Sequence, residues 1–278
     1  MVPPTPGRPP GFHVCPMRSI YQALLDSPPL LADLPEAKTF DRQHLQLPGW
    51  LPPLNLQQKL GHLYEEALTT LLSSSHTIDL LARNLQIQAS LQSTLGELDF
   101  LLQDQVTGEF IHLELATKFY LTVPTSEGLT YPGPDARDHY LRKLKRLRSH
   151  QLVLTQKHRA LLPPEYQKRD FIPQHLVLGC LFDPLHLAAQ GHPPQLSPVA
   201  RRGKWLPQSL FQERFPHETS PHLIPKHLWP CPLSTLREIP LEPFDPEEPL
   251  TRCTLLLLDH CSQPVFLTPE AYPVIRSL

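Results

Sequence analysis

The chain has 278 residues, 40% of them hydrophobic and 19% charged, with a formal net charge of −2. That balance supports a packed core and excludes wholesale disorder and a globally basic nucleic-acid binder, so any phosphate contact has to come from a local patch. The 35 prolines cluster at Pro3–Pro10 and Pro184–Pro249, where they predict loops, turns and short extended pieces.

Residues 1–15 read as a flexible tail, and MVPPTPGRPPGFHVCP lacks the apolar centre of a signal peptide. From Ser19 to Leu34 a short helical pattern is stopped by Pro28-Pro29. Leu56 to Leu72 places Leu56, Leu60, Leu63, Ala67 and Leu71 on one face of an amphipathic helix. A strand is expected over 78–90. Two more, Leu95–Gln103 and Phe110–Leu121, flank a turn at Asp104–Gly108. Asp135 is positioned to cap a second helix running to about Leu152. A strand at 175–182 follows, then strand-like pieces at 234–240, 253–258 and 264–267. The order helix, three strands, helix, strand predicts a mixed α/β core. It divides the chain into the tail (1–15), a core with a helical lead-in (16–182) and a proline-rich extension with short strands packed on the core (183–278).

Cys15, Cys180, Cys231, Cys253 and Cys261 form no C-x-x-C pair. This favours reduced thiols in the cytoplasm over a disulfide framework or a zinc site. The 15 histidines form no H-E-x-x-H motif, and no apolar run approaches the length of a membrane span.

Chemistry concentrates on the two strands around the turn. Residues two apart share a strand face, so Glu97 and Asp99 lie together on the first strand. His112, Glu114, Ala116 and Lys118 lie together on the second, opposite an apolar face of Ile111, Leu113, Leu115 and Phe119. Carboxylates in the middle of hydrophobic strands are costly unless something matches their charge. A divalent cation such as magnesium would do so and leave positions for phosphate oxygens. Spacing alone fits equally an ion-pair network of Asp99 and Glu114 with Lys118 and Arg83. His112 is a further candidate ligand on the same face.

At these residues the sequence resembles the PD-(D/E)XK nuclease superfamily and, more narrowly, a bacterial family known as domain of unknown function 1853. The resemblance rests on SPPLL (Ser27–Leu31), LGHLYEEAL (Leu60–Leu68), GELDFLL (Gly96–Leu102), HLELATKFYL (His112–Leu121), GPDARDHYLRKLKRL (Gly133–Leu147) with HQL (His150–Leu152), and LSP (Leu196–Pro198) before RRGKWL. It implies a restriction-endonuclease-like α-β-β-β-α-β core and a Mg2+- or Mn2+-dependent site. Asp99 and Glu114 match the metal-binding acids, and Glu65, or alternatively Glu66, matches the acid of the first core helix. The motif's lysine position holds Ala116. Lys118 stands one pleat further on, about 6.6 Å at roughly 3.3 Å per residue, on the same face.

The second helix adds Arg137, Arg142, Lys143, Lys145, Arg146 and Arg148. Of these, Arg137, Arg142, Lys143 and Arg146 are the candidates for binding the phosphates of DNA or RNA. Three functions compete: a metal-dependent nuclease, a nuclease-like protein that binds nucleic acid or a protein partner without cutting, and a two-carboxylate glycosidase. The glycosidase ranks last, because none of the three tryptophans lies near Asp99 or Glu114 in the sequence.

Overall fold

A computed structural model of the protein describes residues 16–90, 92–218 and 220–273. The tail expected at 1–15 lies outside them. Three helices frame the molecule: α1 (Pro16–Asp26), α2 (Leu60–Ser73) and α3 (Tyr140–Arg146). In chain order the strands are β1 (Lys38–Thr39), β2 (Ile78–Ser90), β3 (Ser93–Asp104), β4 (Phe110–Leu121), β5 (Val123–Thr125), β6 (Gly128–Thr130) and β7 (Phe171–Pro184). They continue with β8 (Arg202–Pro207), β9 (His222–Leu223), β10 (Glu242–Pro243), β11 (Thr254–Leu257) and β12 (Val265–Thr268).

One mixed sheet of ten strands runs in the order β10-β9-β11-β12-β8-β7-β4-β3-β2, with β1 added beside β7. β5 and β6 form a separate hairpin. The neighbours β2–β3 and β3–β4 are antiparallel, whereas β4–β7 and β7–β8 are parallel. Strands from the proline-rich region therefore extend the same sheet as the core strands.

The apolar spacing of α2 behaves as expected, with Leu63, Ala67 and Leu71 fully buried. They pack with α1 and with one face of β4, where Leu113 and Leu121 belong to the same cluster. The opposite face of the sheet is covered by α3 and the residues after it, through Tyr140, Leu144, Leu147 and Leu152. The result is a sheet with helical layers on both sides. Among the described residues, no helix is long and apolar enough to cross a membrane.

Several boundaries differ from expectation for local reasons. α2 starts at Leu60, not Leu56, because the Asn55 side chain accepts the Gln57 N–H (3.1 Å) and closes a turn first. Asp135 does not cap α3. It accepts the Arg137 N–H at 3.1 Å, Ala136 adopts a left-handed φ of 57°, and the helix waits until Tyr140. The second helix then changes pitch. Leu147–Gln151 is a π-helical turn in which the Leu152 N–H bonds the Leu147 carbonyl (3.0 Å), and Leu147 and Leu152 are both buried.

The strand expected over 234–240 is instead a short helical turn, Leu233–Leu236, led by Pro232 at φ −59°. Proline suits a helix entrance because its missing N–H has no intrahelical partner there. The strands near 253–258 and 264–267 form as β11 and β12. The 175–182 strand begins earlier, at Phe171. RRGKWL contributes β8, and Trp205 is buried with its indole N–H donating to the Thr122 carbonyl (2.9 Å).

Candidate active site

β3 and β4 pair at only four positions, from Gln103↔Phe110 to Phe100↔Leu113. Past Phe100 the strands part. β3 continues along β2, where Leu98 pairs with Leu85 and Glu97 with Gln86. β4 instead continues along β7, with Glu114 opposite His175 and Lys118 opposite Gly179. A Cβ on Gly179 would meet the Lys118 carbonyl oxygen at 1.7 Å, so only glycine allows β7 to run this close to β4.

Asp99 sits where the strands separate. Its Oδ2 accepts the Leu115 N–H at 2.8 Å, so a side chain takes the place of a strand carbonyl. Glu114, one residue earlier on β4, is 2% exposed. Its Oε1 lies 2.9 Å from His112 Nε2, and its Oε2 accepts the Gln151 amide N–H at 2.6 Å. The Asp99 carboxyl is pushed up to about 8, first by burial and then by the charge of Glu114. The Glu114 carboxyl is likewise pushed up to about 8, mainly by burial, against the pull of the Asp99 N–H and of Gln151. The two acids therefore converge in a poorly solvated place.

The other expected residues distribute unevenly. Glu65 of α2 lies close enough to raise the pKa of both acids, and its carboxylate is 3.4 Å from His62 Nδ1. Glu66 is turned to Gln58, whose amide it accepts. Glu97 is exposed, and Gln86 Nε2 is 3.5 Å from its carboxylate. His112 is fully buried and, pushed down to about 4 by burial, is neutral. Lys118 donates to Asp138 Oδ2 at 2.7 Å. Burial opposes ionisation of Asp138, yet the Lys118 ammonium outweighs it and holds that carboxyl below its ordinary value.

A cavity of about 50 Å³ opens beside Glu114, lined by Ala116, Lys118, Tyr120, Lys143 and Gln151. It has room for more than one water, each of which needs roughly 10–15 Å³. Of the basic candidates on the second helix, only Lys143 lines it; Arg137, Arg142 and Arg146 are exposed to solvent. Lys143 lies four residues before Leu147 and eight before Gln151, and all three line the cavity. Burial, and then repulsion from Lys118, lowers the Lys143 pKa.

Gln151 and Asp138 were not expected from the sequence. Gln151 Oε1 is buried and, among the described residues, has no hydrogen-bond partner. The available signals were slight: HQL follows the basic helix, and Asp138 lies within GPDARDHY.

Among the described residues, no cluster of three or more His, Cys, Asp or Glu forms a ready metal cage. Asp99 and Glu114 offer carboxylate oxygens suited to a hard cation that keeps waters of its own.

No curated protein and no solved structure matches the chain. A family model does match, over residues 21–243, and its description is Domain of unknown function (DUF1853). That match covers most of the chain, which therefore belongs to the DUF1853 family.

Proposed function

We propose that the protein is a metal-dependent nuclease that hydrolyses phosphodiester bonds of DNA or RNA on a restriction-endonuclease-like core. The observation that carries this reading is the pairing of the half-buried Asp99 with the buried Glu114, both pushed up to about 8, where Glu114 lines a cavity with Lys118 and Lys143. The order α2, β2, β3, β4, α3, β7 supports the proposed core. Perturbed acids grouped in a cleft are a recognised mark of functional sites.

The donor set fits magnesium or manganese. Two carboxylates that repel each other gain from a shared divalent cation, and the unpartnered Gln151 Oε1 adds a polar atom at the same place. Such an ion, when bound, would supply Lewis-acid stabilisation of the charge on a scissile phosphate. The chain's own groups do the positioning. The Leu115 N–H holds Asp99, and the Gln151 amide and His112 hold Glu114. A lysine of the cavity offers positive charge to the phosphate oxygens, and the exposed Arg142 and Arg146 extend that charge along the second helix. The same proposal places the protein in the cytoplasm, where the free thiols of Cys180, Cys231 and Cys253 would stay reduced.

The test is cleavage of labelled single- and double-stranded DNA and RNA with Mg2+ or Mn2+. Metal-dependent cutting is expected, and no cutting of any form would remove the proposal. A second reading, binding without catalysis, is favoured by one observation: Ala116 holds the motif's lysine position while Lys118 is tied to Asp138. That reading expects metal-independent binding and no products.

A further inference from the structure

We propose that Lys143, on α3, is the lysine that contacts the scissile phosphate, and that Lys118 serves the site only by positioning, through Asp138. This deepens the nuclease reading and rests on it.

Two lysines line the cavity beside Glu114, and their surroundings differ. The Lys118 ammonium is 2.7 Å from Asp138 Oδ2, and the Tyr120 hydroxyl lies 3.5 Å from the same oxygen. Its charge is matched within the protein, and moving it to a phosphate would strand Asp138. Among the described residues, the Lys143 ammonium has no hydrogen-bond or ion-pair partner. Yet Lys143 is only partly exposed and lies within electrostatic reach of Asp99 and Asp138. A half-buried cation without a partner is unfavourable until an anion arrives to complete it.

Helix geometry explains why this lysine and not its neighbours. Lys143, Leu147 and Gln151 recur every four residues and turn to the cavity, whereas Arg142, Lys145 and Arg146 are exposed. Ala116, whose methyl group is too short to fill a lysine's place, is part of the cavity lining. A cation thus reaches the cleft from the helix above the sheet, where the strand provides none that is free.

Hydrolysis adds one water across one P–O bond. The water oxygen bonds to phosphorus and gives up a proton, and the departing sugar oxygen gains one. Lys143 stays an ammonium throughout and donates to a non-bridging phosphate oxygen, where negative charge accumulates.

The experiment compares the full-length wild type with Lys143→Met, Lys143→Arg and Lys118→Met. Cleavage of a labelled oligonucleotide is measured with Mn2+. Its binding is measured with Ca2+ across a salt series. Lys143→Met is expected to slow cleavage roughly 100- to 1,000-fold and to reduce the salt slope of binding by about one. Lys143→Arg is expected to restore the slope. Lys118→Met should slow cleavage by a smaller factor, about tenfold, and leave the slope in place. Thermal melting checks each fold, with Lys143→Gln or Lys118→Gln replacing the Met variant at that position if it unfolds. If Lys118→Met removes both rate and slope while Lys143→Met keeps them, the inference is overturned and the nuclease reading stands. If the wild type cuts nothing with Mn2+ or Mg2+, both are overturned together.

Discussion

Asp183 and the Asp99–Glu114 pair belong to the same sheet, and the environments of these acids differ in one respect. Asp183 is 3% exposed. Its Oδ1 accepts the Thr122 hydroxyl (2.9 Å) and the Gly191 N–H (2.8 Å), and its Oδ2 is paired with the Arg202 guanidinium. Every demand of that carboxylate is met from within the chain. Among the described residues, Asp99 and Glu114 have neutral donors: the Leu115 N–H, the Asp99 N–H, the Gln151 amide and a neutral His112. The Asp183 carboxylate is thus built into the fold, while the other two acids are left short of positive charge. A group that the fold leaves incomplete is where an outside ion or ligand has something to gain.

The largest effect that would sharpen this contrast is on activity. Asp99→Ala and Glu114→Ala are each expected to lower metal-dependent cleavage at least about 1,000-fold, with thermal melting unchanged or raised. Cleavage that persists in both variants would move the site elsewhere. On stability the order reverses. Arg202→Met leaves Asp183 buried without its cation and should cost about 3–5 kcal/mol in urea denaturation. Glu114→Gln, made without metal, should cost far less, because burial already keeps that carboxyl largely protonated below about pH 8. Equal losses in the two variants would break the comparison.

A smaller effect is expected on the pH dependence of the metal-free protein. Asp99 rises from an ordinary 3.8, and Glu114 from 4.5, each to about 8 in the folded state. Between those limits these two groups bind more protons in the folded protein than in the unfolded chain, so their contribution to stability is greatest at the acid end and is lost as pH rises toward about 8. The buried His112 and His175, each pushed from 6.5 down to about 4, act with the opposite sign below about pH 6.5, so melting temperature should fall from pH 7 to pH 8 and recover with added Mn2+, and Asp99→Asn should flatten the curve. A melting temperature that climbs over this range would contradict the raised carboxyls. The smallest effect belongs to the exposed helix face. Removing Arg142 and Arg146 together should reduce the salt slope of oligonucleotide binding by at most about two and leave sequence preference unchanged.

Much of this site was legible because strand periodicity is simple. Alternation put Glu114 and Lys118 on one face of β4, and the structure keeps both beside one cavity. The parting of β3 from β4 was not legible, since it depends on which neighbour each strand prefers beyond Phe100. Asp138 falls inside the helix expected to start at Asp135. Its pairing with Lys118 follows from a left-handed Ala136 that delays the helix. Gln151 gave only the slight signal of the HQL string, because its direction depends on a π-helical turn that no apolar spacing announces. β8 was hidden among prolines and arginines, and its strand character comes from having β7 on one side and β12 on the other.

The place of β8 also governs how the protein can be cut down for experiment. Leu181, Phe182, Asp183 and Pro184 of β7 are aligned with Arg202 to Trp205 of β8. A fragment stopped after β7 would present that row of unpaired peptide groups as a raw sheet edge, with Leu181 and Phe182 along it, and would keep Asp183 while losing Arg202. Such edges recruit other chains and precipitate. The insolubility of a shortened version would report on its exposed border and not on its catalytic competence.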